Sequence, residues 1–315
     1  MNYLSEFRKR RGFDKKHALI DIQVALETAA EAFEVASQLN ASVSTNCEKE
    51  ALIRNTHYVL LNRTYQHIEG MLTCVASGAF SSSEALGRVV NESSINLMFM
   101  VLKGDERTIT AHFARWYKEH TDQLSKWKDY LKGKEHEEKV SQLIDSRIRT
   151  LEICKQYTES LRETYSVEEK ELNNLWYNSI QKRFLELGRF EEYVEVYHRL
   201  SGASHVTAED TILSVLSLGL PEGFHKLKDH ELNSYSIMMS RVVIRTFLDA
   251  TVCFCVRNGL DNETQFERFL QLRSAIDRSV KEIASDAGVP AKNEKDSVAV
   301  FFKVVVIICL LIKQL

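Results

Sequence analysis

Apolar residues recur at three- and four-residue intervals along most of this chain, the spacing of amphipathic helices. The first predicted helix covers about 15–39 and carries Leu19, Ile22, Leu26 and Ala29–Ala30 on one face. After a polar loop at 40–46 a second helix covers about 48–75. "SGAFSSSEAL" then predicts a turn, with Ser82 or Ser83 as the cap of a third helix over about 84–102. "KGDE" closes that helix and opens a fourth over about 106–131. Beyond "KGKEHEE" a highly charged helix covers about 135–165, with Val140, Leu143, Ile144, Ile148 and Leu151 at helical spacing. Helices come next at about 167–187 and 190–200, then a short element near 210–218 closed by Gly219 and Pro221. Two long helices complete the pattern, at about 230–256 and 263–287, the latter stopped by Gly288 and Pro290. The expectation is an all-α, multi-helix bundle in which residues 15–290 form one domain. The polar segment 106–165 should project from it as a charged hairpin. A basic N-terminal segment, 1–14, and an apolar C-terminal tail helix, 291–315, flank the domain.

Composition supports that reading. The chain has only 2 prolines and 12 glycines in 315 residues, too few turn formers for an all-β fold. Net charge is −3, so no global field announces a nucleic-acid partner. The local cluster of Arg8, Lys9, Arg10, Arg11, Lys15 and Lys16 reads as a solvated terminus, the alternative being a contact to phosphate or anionic lipid. The 6 cysteines form no CxxC pair, and Cys253 and Cys255 have apolar flanks, which predicts buried free thiols in a reducing cytoplasm. From Val298 to Ile312 the tail is apolar apart from Lys303. A helix of that length rises about 22 Å, short of the roughly 30 Å hydrocarbon core, so burial in a core or interface is expected rather than a membrane span. Phosphate-binding glycine loops, HExxH, GxSxG and calcium-loop patterns are all missing from the sequence, and no cofactor or metal is called for.

Two constellations carry the chemistry. In "GRVVNESSINLMF", Arg88, Glu92 and Asn96 lie four apart and stack on one side of an otherwise apolar helix. Such groups cannot all face water, so Arg88 and Glu92 read either as a salt bridge closing the core or as a charged ladder lining a cleft. In "YHRLSGASHVTAED" and its lead-in, Tyr193, Tyr197, Ser201 and His205 also step by four, a slanted polar stripe. Arg199 precedes His205 by six positions, so the two converge if the chain turns at Gly202. An arginine fork holds phosphate and an imidazole exchanges protons near neutral pH, a pair suited to metal-free RNA cleavage. Thr207 and Asp210 resemble a capping box, a structural role for that acid.

"LWYNSIQKRFLELGRFEEYVEVYHRLSGASHV" resembles the signature of an uncharacterised all-helical bacterial family of unknown function. The landmarks here are Trp176, Arg183, Gly188, Tyr193, Tyr197, Ser201 and His205, and the "GRVVNESSINL" helix is similar to that family's at Arg88 and Glu92. More distantly, the Arg199–His205 spacing resembles that of the HEPN superfamily of helical ribonucleases and toxins, with Leu200 standing where a polar residue is usual. That likeness implies a homodimer with a composite site, catalytic Arg199 and His205, and support from Tyr193, Tyr197, Ser201, Arg88 and Glu92. RNA would be the substrate and growth arrest or anti-phage defence the setting, with a partner protein. The alternatives are a non-catalytic helical scaffold or sensor, in which the stripe is a buried hydrogen-bond network, and a membrane-acting effector using the tail.

Overall fold

A computed structural model describes residues 15–42, 47–203 and 218–289, with Ile212 and Val215 between. The basic segment 1–14 and the apolar tail from 290 onward lie outside the described residues. The helices are α1 (Lys15–Ser42), α2 (Glu48–Ala76), α3 (Phe80–Lys103), α4 (Glu106–Leu131), α5 (Glu137–Thr164), α6 (Leu172–Leu175) and α7 (Ile180–Glu186). A continuous helical run at 190–203, here α8, precedes α9 (Glu222–Arg257) and α10 (Glu263–Ala284). No strand occurs among the described residues, and the protein is an all-α bundle. None of these helices is long and apolar enough to cross a membrane.

α9 is the axis of the bundle. From Ser234 to Val256 nearly every residue is buried, whichever way it points, as expected of a helix that neighbours surround on all sides. Those neighbours are α1, α2, α3 and α10. α1 approaches through Ile22, Ala25, Ala29, Ala32 and Ala36. Of the expected face, Ile22 and Ala29 are buried as predicted, whereas Leu19 and Leu26 point outward, because small side chains let the α1 backbone pack close to its neighbours. α3 begins at Phe80, four residues before the serine-capped start that its sequence predicts, with Ala79 preceding it and Ser83 buried inside its first turn. At its other end Gly104 is required, since a Cβ would lie 2.6 Å from the Met100 carbonyl oxygen. Asp105 then caps α4, accepting from the Thr108 amide at 2.9 Å.

α4 and α5 form an antiparallel hairpin. Phe113 meets Tyr157 near its base, and Lys128 bridges Asp145 at 2.7 Å nearer its tip. α5 buries Ile144, Leu151 and Thr158, one residue every two turns. After the hairpin the chain departs from expectation. One helix over 167–187 is predicted, but a 3₁₀ turn, the short α6 and an extended stretch intervene before α7. The break is tertiary: Trp176 leaves the helix with extended φ and ψ and buries its ring against Phe99 and His112.

Two buried histidines make stability pH-dependent. His57 on α2 is buried with neither ring nitrogen hydrogen-bonded, and burial pushes its pKa down to about 4. Burial likewise lowers His112 to about 4, helped by Arg183. Unfolded histidine titrates near 6.5, so between pH 6.5 and 4 the unfolded chain binds more protons and stability falls as pH falls. His57→Leu should leave stability at pH 7 unchanged or slightly higher, and should remove about 3 kcal/mol of the acid-side loss. Urea denaturation of both proteins at pH 7 and pH 4.5 checks this. A loss equal to that of the wild type would refute it.

Candidate functional site

The site is assembled by a glycine. Gly188 has φ +67° and ends α7. The Gly188 amide donates to the Leu185 carbonyl and the Arg189 amide to the Phe184 carbonyl, the paired bonds of a Schellman turn. Arg189 is thereby delivered into the interior. It bonds Glu192 at 2.5 Å and Asp249 of α9 at 2.8 Å. Asp249 also takes Arg273 of α10, which bridges Asp277 at 3.0 Å, and Asp277 meets Arg245 at 3.5 Å. Three guanidiniums and three carboxylates therefore alternate through the interior. Glu192 further accepts from Asn91 at 2.7 Å and Thr246 at 2.6 Å. Burial opposes the charge on Glu192 and Asp249, yet the arginines outweigh it and hold both below the ordinary carboxylate range. For Arg189 the two acids likewise outweigh burial and raise its pKa.

Above this network α8 lies along α3. Its middle, Tyr193–Tyr197, is a π-helical turn. The rings of Tyr193 and Tyr197 stack 5.5 Å apart and both meet Phe184. The Tyr197 hydroxyl donates to Glu92 at 3.1 Å and accepts from Arg88 at 3.3 Å. The Arg88 guanidinium also lies 5.4 Å from the Tyr197 ring centroid. Burial raises the Tyr197 pKa, Arg88 opposing it and Glu92 adding to it. Leu200 is buried against α3 near Gly87.

Three predicted site residues, Arg88, Glu92 and Tyr197, thus meet in one part-buried cluster. They are joined through the tyrosine hydroxyl, as a ladder along α3 that receives α8. Tyr193 belongs to the aromatic stack beneath and Ser201 is half-buried. Arg199 is exposed and hydrogen-bonds Tyr235 of α9. Glu84, one turn before Arg88, accepts from Ser236 beside it. The helix does not end at Gly202: it runs through to Ala203, and a Cβ on Gly202 would meet nothing within 4 Å. His205 lies outside the described residues, as do Thr207 and Asp210. The landmarks Trp176 and Arg183 are partners, the guanidinium 4.5 Å from the ring centroid and donating to the Tyr177 carbonyl at 2.6 Å. Burial lowers the Arg183 pKa to about 10, with Glu92 opposing. Among the described residues no group of three or more His, Cys, Asp or Glu is placed to hold a metal ion.

The sequence reading missed the interior network. A signal existed at Asp249, a lone acid inside "RTFLDATVCFCV". The rule that singled out Arg88 and Glu92 applies equally there.

Residues 56–217, just over half of the chain, match the model of a family of unknown function, DUF5677. The chain belongs to the DUF5677 family. The span matched to DUF5677 contains the hairpin, Arg88, Glu92, Arg183, Arg189, Tyr193, Tyr197 and Arg199. It stops before Asp249 and Arg273, which complete the buried network from α9 and α10. Neither the curated proteins nor the solved structures contain a match to this DUF5677 chain.

Removing one member of the alternating chain strands its neighbours. Asp249→Ala should cost about 3–5 kcal/mol, since Arg189 and Arg273 then stay buried with a shared partner gone. Breaking the half-exposed Lys128–Asp145 pair through Asp145→Ala should cost far less, as surface ion pairs do. Guanidinium denaturation of the two variants compares them directly, and equal losses would show that the network contributes nothing special.

Proposed function

We propose that this protein is a metal-independent, HEPN-like ribonuclease serving as a growth-arrest or anti-phage effector, with its site where α3, α8 and α9 meet. The observation that carries the reading is the Arg88–Tyr197–Glu92 cluster. Residues 105 apart in sequence, Tyr197 and Glu92, join there through one hydroxyl, and exposed Arg199 stands just beyond on the same helix. In this reading Arg199 holds the non-bridging oxygens of a phosphodiester with its forked donors. His205 takes the proton of the ribose 2′-hydroxyl, whose oxygen attacks phosphorus in line as the 5′-oxygen leaves. The leaving 5′-oxygen takes a proton from water, the imidazolium later returns its own proton to the solvent, and the products are a 2′,3′-cyclic phosphate and a free 5′-hydroxyl. Arg199 stabilises the charge that builds up on the phosphorane. Arg88, Glu92 and Tyr197 support the site by fixing α8 on α3. Tyr193 lies beneath them in the aromatic stack, and Ser201 adds a hydroxyl to the polar stripe. RNA is the ligand of this reading, and regulation by a partner protein belongs to it.

A second reading has its own support. Tyr193 and Tyr197 stack on each other and on buried Phe184. That is where a scaffold would place a stripe serving as a hydrogen-bond network between core helices.

The two readings separate in one experiment. Full-length protein, His205→Ala and Arg199→Ala are incubated with labelled single-stranded and structured RNA, and each is melted in parallel. The ribonuclease reading expects cleavage by the wild type, a fall of about 10²-fold or more in each variant and unchanged melting. Retained cleavage by His205→Ala would falsify it. Early melting without any cleavage by the wild type would favour the scaffold.

A further inference from the structure

The hairpin carries an aromatic face that neither the fold nor the proposed site uses. On α4, Phe113 and Lys128 point toward α5. Trp116, His120, Gln123, Trp127 and Tyr130 succeed one another at alternating steps of four and three, roughly a quarter turn to one side. On α5, Leu143, Thr150 and Tyr157 each precede a buried residue, Ile144, Leu151 or Thr158, by one position, an offset of about 100° in the same sense. In an antiparallel pair, equal offsets of one sense bring both stripes to the same side. The register fixed by Phe113–Tyr157 and Lys128–Asp145 then puts Trp116 level with Tyr157, His120 with Thr150 and Trp127 with Leu143. No member of either stripe is charged, although the rest of the hairpin is dense in Lys, Arg, Asp and Glu. Two cations adjoin the stripes: Arg147 in the furrow between them, where its long stem reaches water, and Lys134 at the tip, its ammonium 4.5 Å from the Tyr130 ring centroid.

These side chains are not core residues. Trp116, Trp127, Tyr130, Leu143 and Tyr157 are 40%, 49%, 67%, 69% and 50% exposed. Large aromatic residues on a contiguous uncharged face mark a docking surface. The face measures roughly 30 Å by 20 Å, of the order of the ~800 Å² per partner that a stable dimer buries.

We propose that a second copy of this chain docks here, hairpin on hairpin, about a two-fold axis that crosses the middle of the hairpin. The face is its own complement under that operation. End-to-end reversal places Trp116 on Trp127 of the second copy and Leu143 on Tyr157 of the second copy, so that each contact occurs twice. At the rim of α4 it brings Glu119, held by Arg115 of its own helix at 2.7 Å, near Lys126 of the second copy, opposite charges in both directions. It also carries Tyr130 of the second copy to the level of Phe113. There a cavity of about 460 Å³ opens between α2 and the hairpin, walled by Leu52, Val59 and Phe113. The hairpins thus form a four-helix bundle whose tips seat against the opposing bases. The inference does not depend on the ribonuclease reading, since the hairpin face is separate from the α3–α8 junction.

Sedimentation equilibrium of the full chain at micromolar concentration tests it. The wild type should be a dimer, and Trp127→Glu should raise the dimer dissociation constant roughly thirty-fold or more, as loss of a buried tryptophan anchor does. Helicity and melting of the monomer should not change. Glu119→Lys and Lys126→Glu should each weaken the dimer, and the two together should restore it. A monomeric wild type would overturn the proposal, as would a dimer indifferent to Trp127→Glu. A charge-swapped double variant no tighter than the single variants would overturn the two-fold arrangement. A dimer dissolved by Arg199→Glu but not by Trp127→Glu would place the interface on α8 instead, which also overturns it.

Discussion

Everything at the α3–α8 junction depends on the alternating ion chain beneath it. Taking one guanidinium out of water costs several kcal/mol, and the cost is recovered only when partners and hydrogen bonds are complete. Here Glu192, Arg189, Asp249, Arg273, Asp277 and Arg245 succeed one another with no like charges adjacent. Asn91 and Thr246 serve the Glu192 carboxylate. The chain joins three parts of the protein that are remote in sequence: the start of α8, the middle of α9 and the middle of α10. It is also specific in a way that apolar contacts are not. A slip of α8 by one residue would leave several charges buried without partners, so the register of α8 is fixed far more sharply than leucine packing alone would fix it.

The π-helical turn is a consequence of that register. Glu192 faces down into the network, whereas Tyr197 faces across to Arg88 and Glu92, and Leu200 packs on α3 near Gly87. A π turn widens the helix by one residue per hydrogen-bonded loop and so alters the phase between the residues before it and the residues after it. With that widening, one run of fourteen residues, 190–203, satisfies the buried acid at its start and the ladder contacts at its end.

The order of the long helices and most of their boundaries were legible because amphipathic spacing is a local property, although α9 begins at Glu222, eight residues before the expected start. α4 begins where "KGDE" places it, and α5 comes after the charged break. That Arg88 and Glu92 need partners was legible for a related reason, since polar residues spaced four apart in an apolar helix must find them. That Tyr197 is the partner was not, because it comes from a helix 105 residues away. The features that stayed hidden depend on distant partners. Nothing local says that Trp176 leaves its helix, because the cause is the pocket formed by Phe99, His112 and Arg183. On α1 the sequence reading named Ile22 and Ala29 but missed Ala25, Ala32 and Ala36, because leucine draws attention to hydrophobicity while close helix packing selects small size. Arg189 drew no notice in the sequence, where it follows the landmark Gly188. Its burial becomes intelligible only with the left-handed Gly188 and with Asp249, 60 residues on.

The ion chain also bears on how the junction could act chemically. Its charges are matched, so it offers a stiff floor rather than a reactive group, and the arginines hold the Glu192 and Asp249 carboxylates below the ordinary range. One layer up, the Tyr197 hydroxyl joins Arg88 and Glu92 and fixes α8 on α3, and at the rim Arg199 is exposed. Such layering suits an anion-handling site, because a fixed floor keeps donor groups oriented without reorganisation when charge develops above them. It suits a scaffold equally well as far as the floor goes. The rim is where the two readings part: in the ribonuclease reading the exposed Arg199, held by Tyr235, grips phosphate, whereas in the scaffold reading it is an ordinary surface side chain. Chemistry, if this protein performs it, should therefore be lost by changing Arg199 without loss of the fold, while changes at Arg189 or Asp249 should remove both together.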